Sequence, residues 1–233
     1  AWGVGRSESQ ETCPDARSTQ HRSRGRVRAH AFSLQPSPSL GFVPAPVTAR
    51  PSSLLILGGA RSGKSRYAVA QALAGGPRVA VVATAEALDA DMAARIRRHR
   101  EDRPRSWLTV EEPVELVGSL RQLAGTADTV LVDCLTLWVA NQLQRGLADE
   151  TILAGGEALA KFVDERPYSL ILVSNEVGEG VHPETASGLR FRDLLGAVNQ
   201  TVAQAADRVV LMVAGLPLGL KDQAFHERAA EAP

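Results

Sequence analysis

The apolar run Leu54-Leu55-Ile56-Leu57 ends in Gly58-Gly59-Ala60-Arg61-Ser62-Gly63-Lys64-Ser65, and a helix-like run from Arg66 to Ala74 follows. The eight residues fit G-x-x-x-x-G-K-[ST], a loop that wraps phosphate between a strand and a helix. Glycine is required there because a Cβ would bar the backbone from approaching the anion and would resist positive φ. The loop N–H groups and the helix N-terminus bring partial positive charge to that anion. In such a loop Lys64 reaches the β- and γ-phosphates, and the Ser65 hydroxyl ligates Mg²⁺. The chain therefore reads as one that binds a nucleoside triphosphate.

The pattern downstream fits that loop. Short, continuous, β-branched apolar runs recur at Leu54–Leu57, Val79–Ala83, Val130–Cys134, Leu170–Val173 and Val209–Val213, as in strands buried on both faces. Helix-type segments lie between them. One follows the loop and stops at Gly75-Gly76, a C-cap pair. A second has Asp89 as N-cap and runs to Glu101. A third begins at Glu112-Pro113, with proline suited to a first helical turn. Others cover Leu135–Gln144, Thr151–Glu165 and Leu189–Ala206. Strand–helix alternation implies right-handed crossovers and a mainly parallel sheet with helices on both faces. The expected class is α/β, a three-layer P-loop NTPase-type (RecA-like) fold over residues 53–221.

Residues 1–52 read differently. They are rich in Ser, Arg, Gln and Pro and lack a sustained period, so they cannot bury enough apolar surface to offset ordering entropy. Disorder is expected there and a loose tail over 222–233. An Arg- and Ser-rich start is typical of transit peptides. Three acids within the first 15 residues argue against one, and an extension with no part in the fold is the better reading. The chain balances 26 basic against 26 acidic residues, so bulk charge argues for neither nucleic acid nor membrane as partner. No apolar run approaches the roughly 20 residues that span a bilayer. Its two cysteines, Cys13 in a polar segment and Cys134 in an apolar strand, do not make a disulfide framework, which suits a reducing cytoplasm.

Three further places carry chemistry. Asp133 closes the run Thr129-Val130-Leu131-Val132. It is either the strand-end acid that holds Mg²⁺ in P-loop folds or a turn residue. Asn175 and Glu176 follow a strand at the ligand edge of a parallel sheet, as substrate or metal contacts or as a solvated loop. On the helix after Asp89, Arg95 and His99 share a face, while Met92 and Ile96 fall in line with His99. His99 can therefore edge an apolar stripe, or serve as a nucleophile kept neutral by Arg95, Arg98, Arg100 and Arg103, which would also hold a triphosphate.

The phosphate loop in its specific form GGARSGKS does not stand alone. With it come Ala83-Thr84-Ala85, Met92-x-x-Arg95-Ile96-x-x-His99-Arg100, and Arg103-Pro104-x-x-Trp107-x-Thr109-x-Glu111-Glu112-Pro113. Asp133-Cys134-Leu135-Thr136 and Asn175-Glu176-Val177-Gly178-x-Gly180 complete the set. Together these resemble the bifunctional adenosylcobinamide kinase / adenosylcobinamide-phosphate guanylyltransferase family of cobalamin biosynthesis, from about Leu54 to Lys221. The resemblance implies two reactions. ATP or GTP phosphorylates the aminopropanol hydroxyl of adenosylcobinamide. GTP then guanylylates a histidine with release of pyrophosphate, and the GMP passes to adenosylcobinamide phosphate to give adenosylcobinamide-GDP. By resemblance His99 is that histidine and Gly58 to Ser65 hold phosphate. Ala83 to Ala85, Arg100 and Arg103 contact nucleotide, and Glu111 and Asp133 are further site acids. The resemblance also implies a homotrimer. The extension before Leu54 lies outside the family pattern, and His182 stands in a loop where an apolar residue is expected, as a variant and not a ligand. Two rivals share the loop: a monofunctional small-molecule kinase, which has no use for a nucleophilic His99, and a nucleotide-binding switch, which needs a partner surface.

Overall fold

The computed structural model describes residues 51–180 and 182–222. The expectations of disorder over 1–52 and a loose tail over 222–233 fall, but for their innermost residues, outside that range. The elements in order are β1 (Ser53–Gly58), α1 (Lys64–Ala74), β2 (Val79–Ala83), α2 (Ala90–Glu101), β3 (Leu108–Glu111), α3 (Leu116–Gln122) and β4 (Thr129–Asp133). Then come α4 (Leu135–Gln144), α5 (Asp149–Glu165), β5 (Ser169–Val173), α6 (Ala186–Ala205), β6 (Arg208–Val213) and β7 (Leu216–Asp222). The strands form one sheet in the order β3-β2-β4-β5-β1-β6-β7. All neighbours are parallel except β6 and β7, which form an antiparallel hairpin.

Strand side chains alternate between faces, and this divides the core in two. Leu55, Leu57, Val82, Val132, Leu172 and Val209 pack with α3, α4, α5 and α6 through residues such as Leu120, Trp138, Phe162 and Leu195. Leu54, Ile56, Val81, Leu131, Ile171 and Val210 face the other way, onto Ala68 and Ala72 of α1 and onto Trp107. The result is the expected three-layer α/β arrangement. Helix α2 buries none of its residues and stands at the C-terminal edge of the strands. Its Asp89 cap accepts from the Met92 N–H at 2.7 Å. None of the described helices is long and apolar enough to cross a membrane.

Three expectations need correction. The helix placed at Glu112-Pro113 begins instead at Leu116. The Glu112 carboxylate accepts from the N–H groups of Val114 and Glu115, and the carbonyls of Pro113 and Val114 are taken by Asn141 and Trp138, so this stretch is a capped turn. Two strands were not anticipated. β3, Leu-Thr-Val-Glu, is short and largely exposed and lacks a continuous apolar run. β7 contains Pro217 and Gly219, residues that an edge strand tolerates and a central one does not.

Candidate active site

Register sets the site. Ala83 of β2 lies opposite Glu111 of β3 and Asp133 of β4, Asp133 lies opposite Val173 of β5, and Gly58 of β1 lies opposite Met212 of β6. The chemistry-bearing residues thus leave the sheet along one edge, the C-terminal ends of the parallel strands, where ligands of such sheets bind.

The phosphate loop turns through positive φ at Gly58, Arg61 and Gly63. A Cβ at Gly58 would sit 2.6 Å from the Met212 carbonyl oxygen, so only glycine fits. Gly59, Ala60 and Arg61 are exposed, while Ser62 and Lys64 are buried. The loop is tied down from two sides. The Glu176 N–H donates to the Gly58 carbonyl at 3.1 Å, and the Gly215 N–H to the Ser62 carbonyl at 3.0 Å. Lys64 Nζ donates to the carbonyls of Gly58 at 2.8 Å and Gly59 at 2.7 Å, lying across the cradle. Burial lowers the Lys64 pKa, and the Arg95 charge adds to that. The buried Ser62 Oγ has no partner among the described residues. A cradle that a Cβ would fill, with a buried hydroxyl left unmatched, fits a phosphate group.

His99 occupies the last turn of α2, with Nδ1 at 3.2 Å from Asp133 Oδ2. Arg103 Nη2 donates to the same oxygen at 2.5 Å, and the Arg103 side chain is only 8% exposed. Burial works to raise the Asp133 pKa, but the His99 hydrogen bond and the Arg103 charge outweigh it and hold the carboxyl below its ordinary range. His99, Arg103 and Asp133 form a wall between two cavities. The larger, about 270 Å³, is also lined by Ser65, Arg66 and Asp102. The smaller, about 50 Å³, is also lined by Ala83, Ala85, Arg95 and Arg100. The fold therefore brings the start of α1 and the imidazole to one cavity.

Other expected site residues stand differently. Arg100 forms an ion pair with Glu111, and the Glu111 side chain is 59% exposed and lines neither cavity. Thr84 is fully buried. Its hydroxyl donates to the Cys134 carbonyl and accepts from the Cys134 N–H. Its own N–H and carbonyl go to the Asp133 carbonyl and to Asn141. It braces β2 against β4 and presents no polar group to a ligand. Asn175 is held by Thr136 and Asn199, and the Glu176 carboxylate accepts from the Gly178 N–H. Both belong to a pinned loop beside Gly58. His182 lies 3.1 Å from Arg192 Nη1, away from the wall.

Asn141 escaped the sequence reading, since a lone polar residue in an apolar helix carries no motif. Asn141 Nδ2 donates to the carbonyls of Thr84 and Pro113. Asn141→Ala is expected to lower stability by about 2 kcal/mol, because two inner carbonyls lose their donor. A shift of the urea midpoint checks this, and an unchanged midpoint would show that the carbonyls find other donors.

Asp133 Oδ1 has no hydrogen bond among the described residues. With the Ser65 hydroxyl on the same cavity, it gives a hard cation two oxygen donors. No group of three or more His, Cys, Asp or Glu gathers to hold a metal among the described residues. The arrangement fits Mg²⁺, which keeps several waters and takes much of its coordination from nucleotide phosphates. Cys134 is no competing nucleophile, since burial and the Asp133 charge push its thiol up to about 11.

Sequence similarity to known proteins identifies the family. The sequence model of the cobinamide kinase / cobinamide phosphate guanyltransferase family matches residues 54–220. The bifunctional adenosylcobalamin biosynthesis protein CobP of Pseudomonas aeruginosa is 46% identical over 171 residues, 72% of this chain and 97% of that protein. The corresponding CobU proteins of Escherichia coli and Salmonella typhimurium are 38% and 37% identical over 72% of this chain and 99% of their own length. The chain belongs to the cobinamide kinase / cobinamide phosphate guanyltransferase family.

Proposed function

We propose that this protein phosphorylates adenosylcobinamide with ATP or GTP, then moves GMP from GTP through His99 to adenosylcobinamide phosphate, giving adenosylcobinamide-GDP. The observation that carries this reading is the cavity that Ser65, His99, Arg103 and Asp133 share. A phosphate held on Gly58 to Ser65 is thereby within the same space as a nucleophile. Lys64, freed from the loop carbonyls, neutralises the β- and γ-oxygens, and Arg95, Arg100 and Arg103 meet charge near the imidazole. Ser65 and Asp133 would hold Mg²⁺, which supplies charge neutralisation on the phosphates. A phosphoramidate is labile enough to hand its phosphorus to a phosphate acceptor, which divides one difficult transfer into two easier ones. Leu216, Leu218 and Leu220, exposed along β7, support self-association. A reducing cytoplasm suits the free Cys134 thiol.

The test is incubation of the protein with α-labelled GTP and Mg²⁺, followed by denaturation. Label that stays with the protein, survives base and is lost in acid is the expected result, since phosphoramidates have that stability. Folded, GTP-binding protein that takes up no label would sink the covalent route.

A further inference from the structure

We propose that Asp133 is the positioning residue for the guanylyl-transfer nucleophile: through Oδ2 it fixes the tautomer and orientation of His99, so that Nε2 is the atom that attacks. This rests on the reading of His99 given above.

Asp133 Oδ2 lies 3.2 Å from His99 Nδ1 and 2.5 Å from Arg103 Nη2. An ionised carboxylate only accepts hydrogen bonds. Nδ1 must therefore carry the hydrogen, and the lone pair of the neutral ring falls on Nε2. Arg103, nearly buried at 8% exposure, holds the carboxylate from a second direction. The Asp133 peptide is itself anchored, because its carbonyl accepts from the Thr84 N–H at 3.1 Å. The ring of a residue on an otherwise unburied helix is thus fixed by an acid at the end of a central strand. A histidine that is only the edge of an apolar stripe needs no such partner.

The step balances. The Nε2 lone pair forms a bond to the α-phosphorus of GTP while the bond from that phosphorus to the bridging oxygen breaks, and pyrophosphate leaves with the electron pair. The ring then bears phosphorus on Nε2 and hydrogen on Nδ1, and is cationic beside the Asp133 carboxylate. In the second step an oxygen of the acceptor phosphate attacks the same phosphorus, the Nε2–P bond breaks, and its electron pair returns to Nε2. Keeping hydrogen on Nδ1 throughout makes the imidazole a good leaving group. The other carboxylate oxygen stays available on the metal side, so one acid serves both ends of the site.

The test is twofold. In protein labelled with ¹⁵N-histidine, phosphorus–nitrogen coupling identifies the linked atom after reaction with GTP. Linkage at Nε2 is expected, and linkage at Nδ1 overturns the proposal while leaving the covalent route intact. No GMP on His99 at all would overturn the underlying reading and this one with it. The second arm follows single-turnover formation of guanylyl-His99 in Asp133→Asn, whose amide can donate to Nδ1 and select the other tautomer. A fall of ~10²–10⁴-fold at saturating GTP is expected, and because Asp133 also faces the metal, raised Mg²⁺ or Mn²⁺ should restore any lost GTP binding but not the rate. Wild-type rates would overturn the proposal, as would full recovery of the rate at high metal, which would leave Asp133 with the metal role alone. If the variant does not fold, the linkage measurement on the wild type decides alone.

Discussion

His99→Ala is expected to lower GMP transfer to adenosylcobinamide phosphate by ~10⁴-fold or more, while phosphorylation of adenosylcobinamide stays within about threefold of wild type. The separation follows from where the groups sit. Phosphoryl transfer depends on positioning and charge neutralisation, which here fall to Lys64, Ser65 and the loop amides, none of them held by His99. GMP transfer loses its covalent carrier, and no neighbour replaces it. The other side chains of the wall, Arg103 and Asp133, already form a pair. Cys134 is a partly buried thiol pushed up to about 11 by desolvation and the Asp133 charge. Alanine is the best helix former, and α2 buries none of its residues, so the scaffold should survive. The check is a pair of assays on one preparation, phosphorylation of adenosylcobinamide and formation of adenosylcobinamide-GDP. Transfer that persists near wild-type rate would remove His99 from the mechanism, and equal loss of both reactions would make it a general site residue.

Gly58→Ala is expected to damage both reactions together and to cost stability, about 2–4 kcal/mol. The residue sits at φ 149°, and its new Cβ would lie 2.6 Å from the Met212 carbonyl oxygen and 2.7 Å from Ser62 Oγ. The serine can turn away. Met212 cannot, because it is the backbone partner of Gly58 in the β1–β6 register. Relief must come from the loop, whose Gly58 carbonyl also receives Lys64 and the Glu176 N–H. Nucleotide affinity should therefore fall by at least ~10-fold, with the ratio of the two activities unchanged. Thermal unfolding and nucleotide titration read the two effects. Gly59→Ala is the control, since nothing lies within 4 Å of a Cβ there, and its stability should change by less than about 0.5 kcal/mol. If that control unfolds as readily as Gly58→Ala, the crowding at Gly58 is not the cause.

Much of this was legible in the sequence because local signals and tertiary roles coincide. β1, β2, β4, β5 and β6 are continuous apolar runs because helices cover both faces. Asp89 caps α2 as its side chain suggests. β3 and β7 were not legible, since edge strands pair on one side only and need no apolar run. The turn at Glu112 was missed because proline after an acid suits a helix start equally well, and only the calls of Asn141 and Trp138 on its carbonyls decide otherwise. In the site, the phosphate loop and His99 were readable from spacing and resemblance. Their meeting in one cavity was not, because it depends on α2 standing over the end of β4, 34 residues away from His99 at Asp133. Asp133 was read as a metal acid or a turn residue, and its hold on the imidazole is a fact of three dimensions. Thr84 fits the family pattern as a ligand contact, yet its hydroxyl and N–H serve the joint between two strands and its carbonyl accepts from Asn141.

The sheet order bears on how the protein is made. β1 leaves the ribosome before the other described strands, yet its place is between β5 and β6. Its pairings with Leu170 to Val173 and with Arg208 to Met212 span more than a hundred residues of chain, the kind of distant closure that slows folding. The phosphate loop is therefore synthesised early and shaped late. A nascent or truncated chain that stops before Arg208 would contain every residue of the loop motif without Met212 behind Gly58 or Gly215 on Ser62, and would carry the sequence of a nucleotide site without its form.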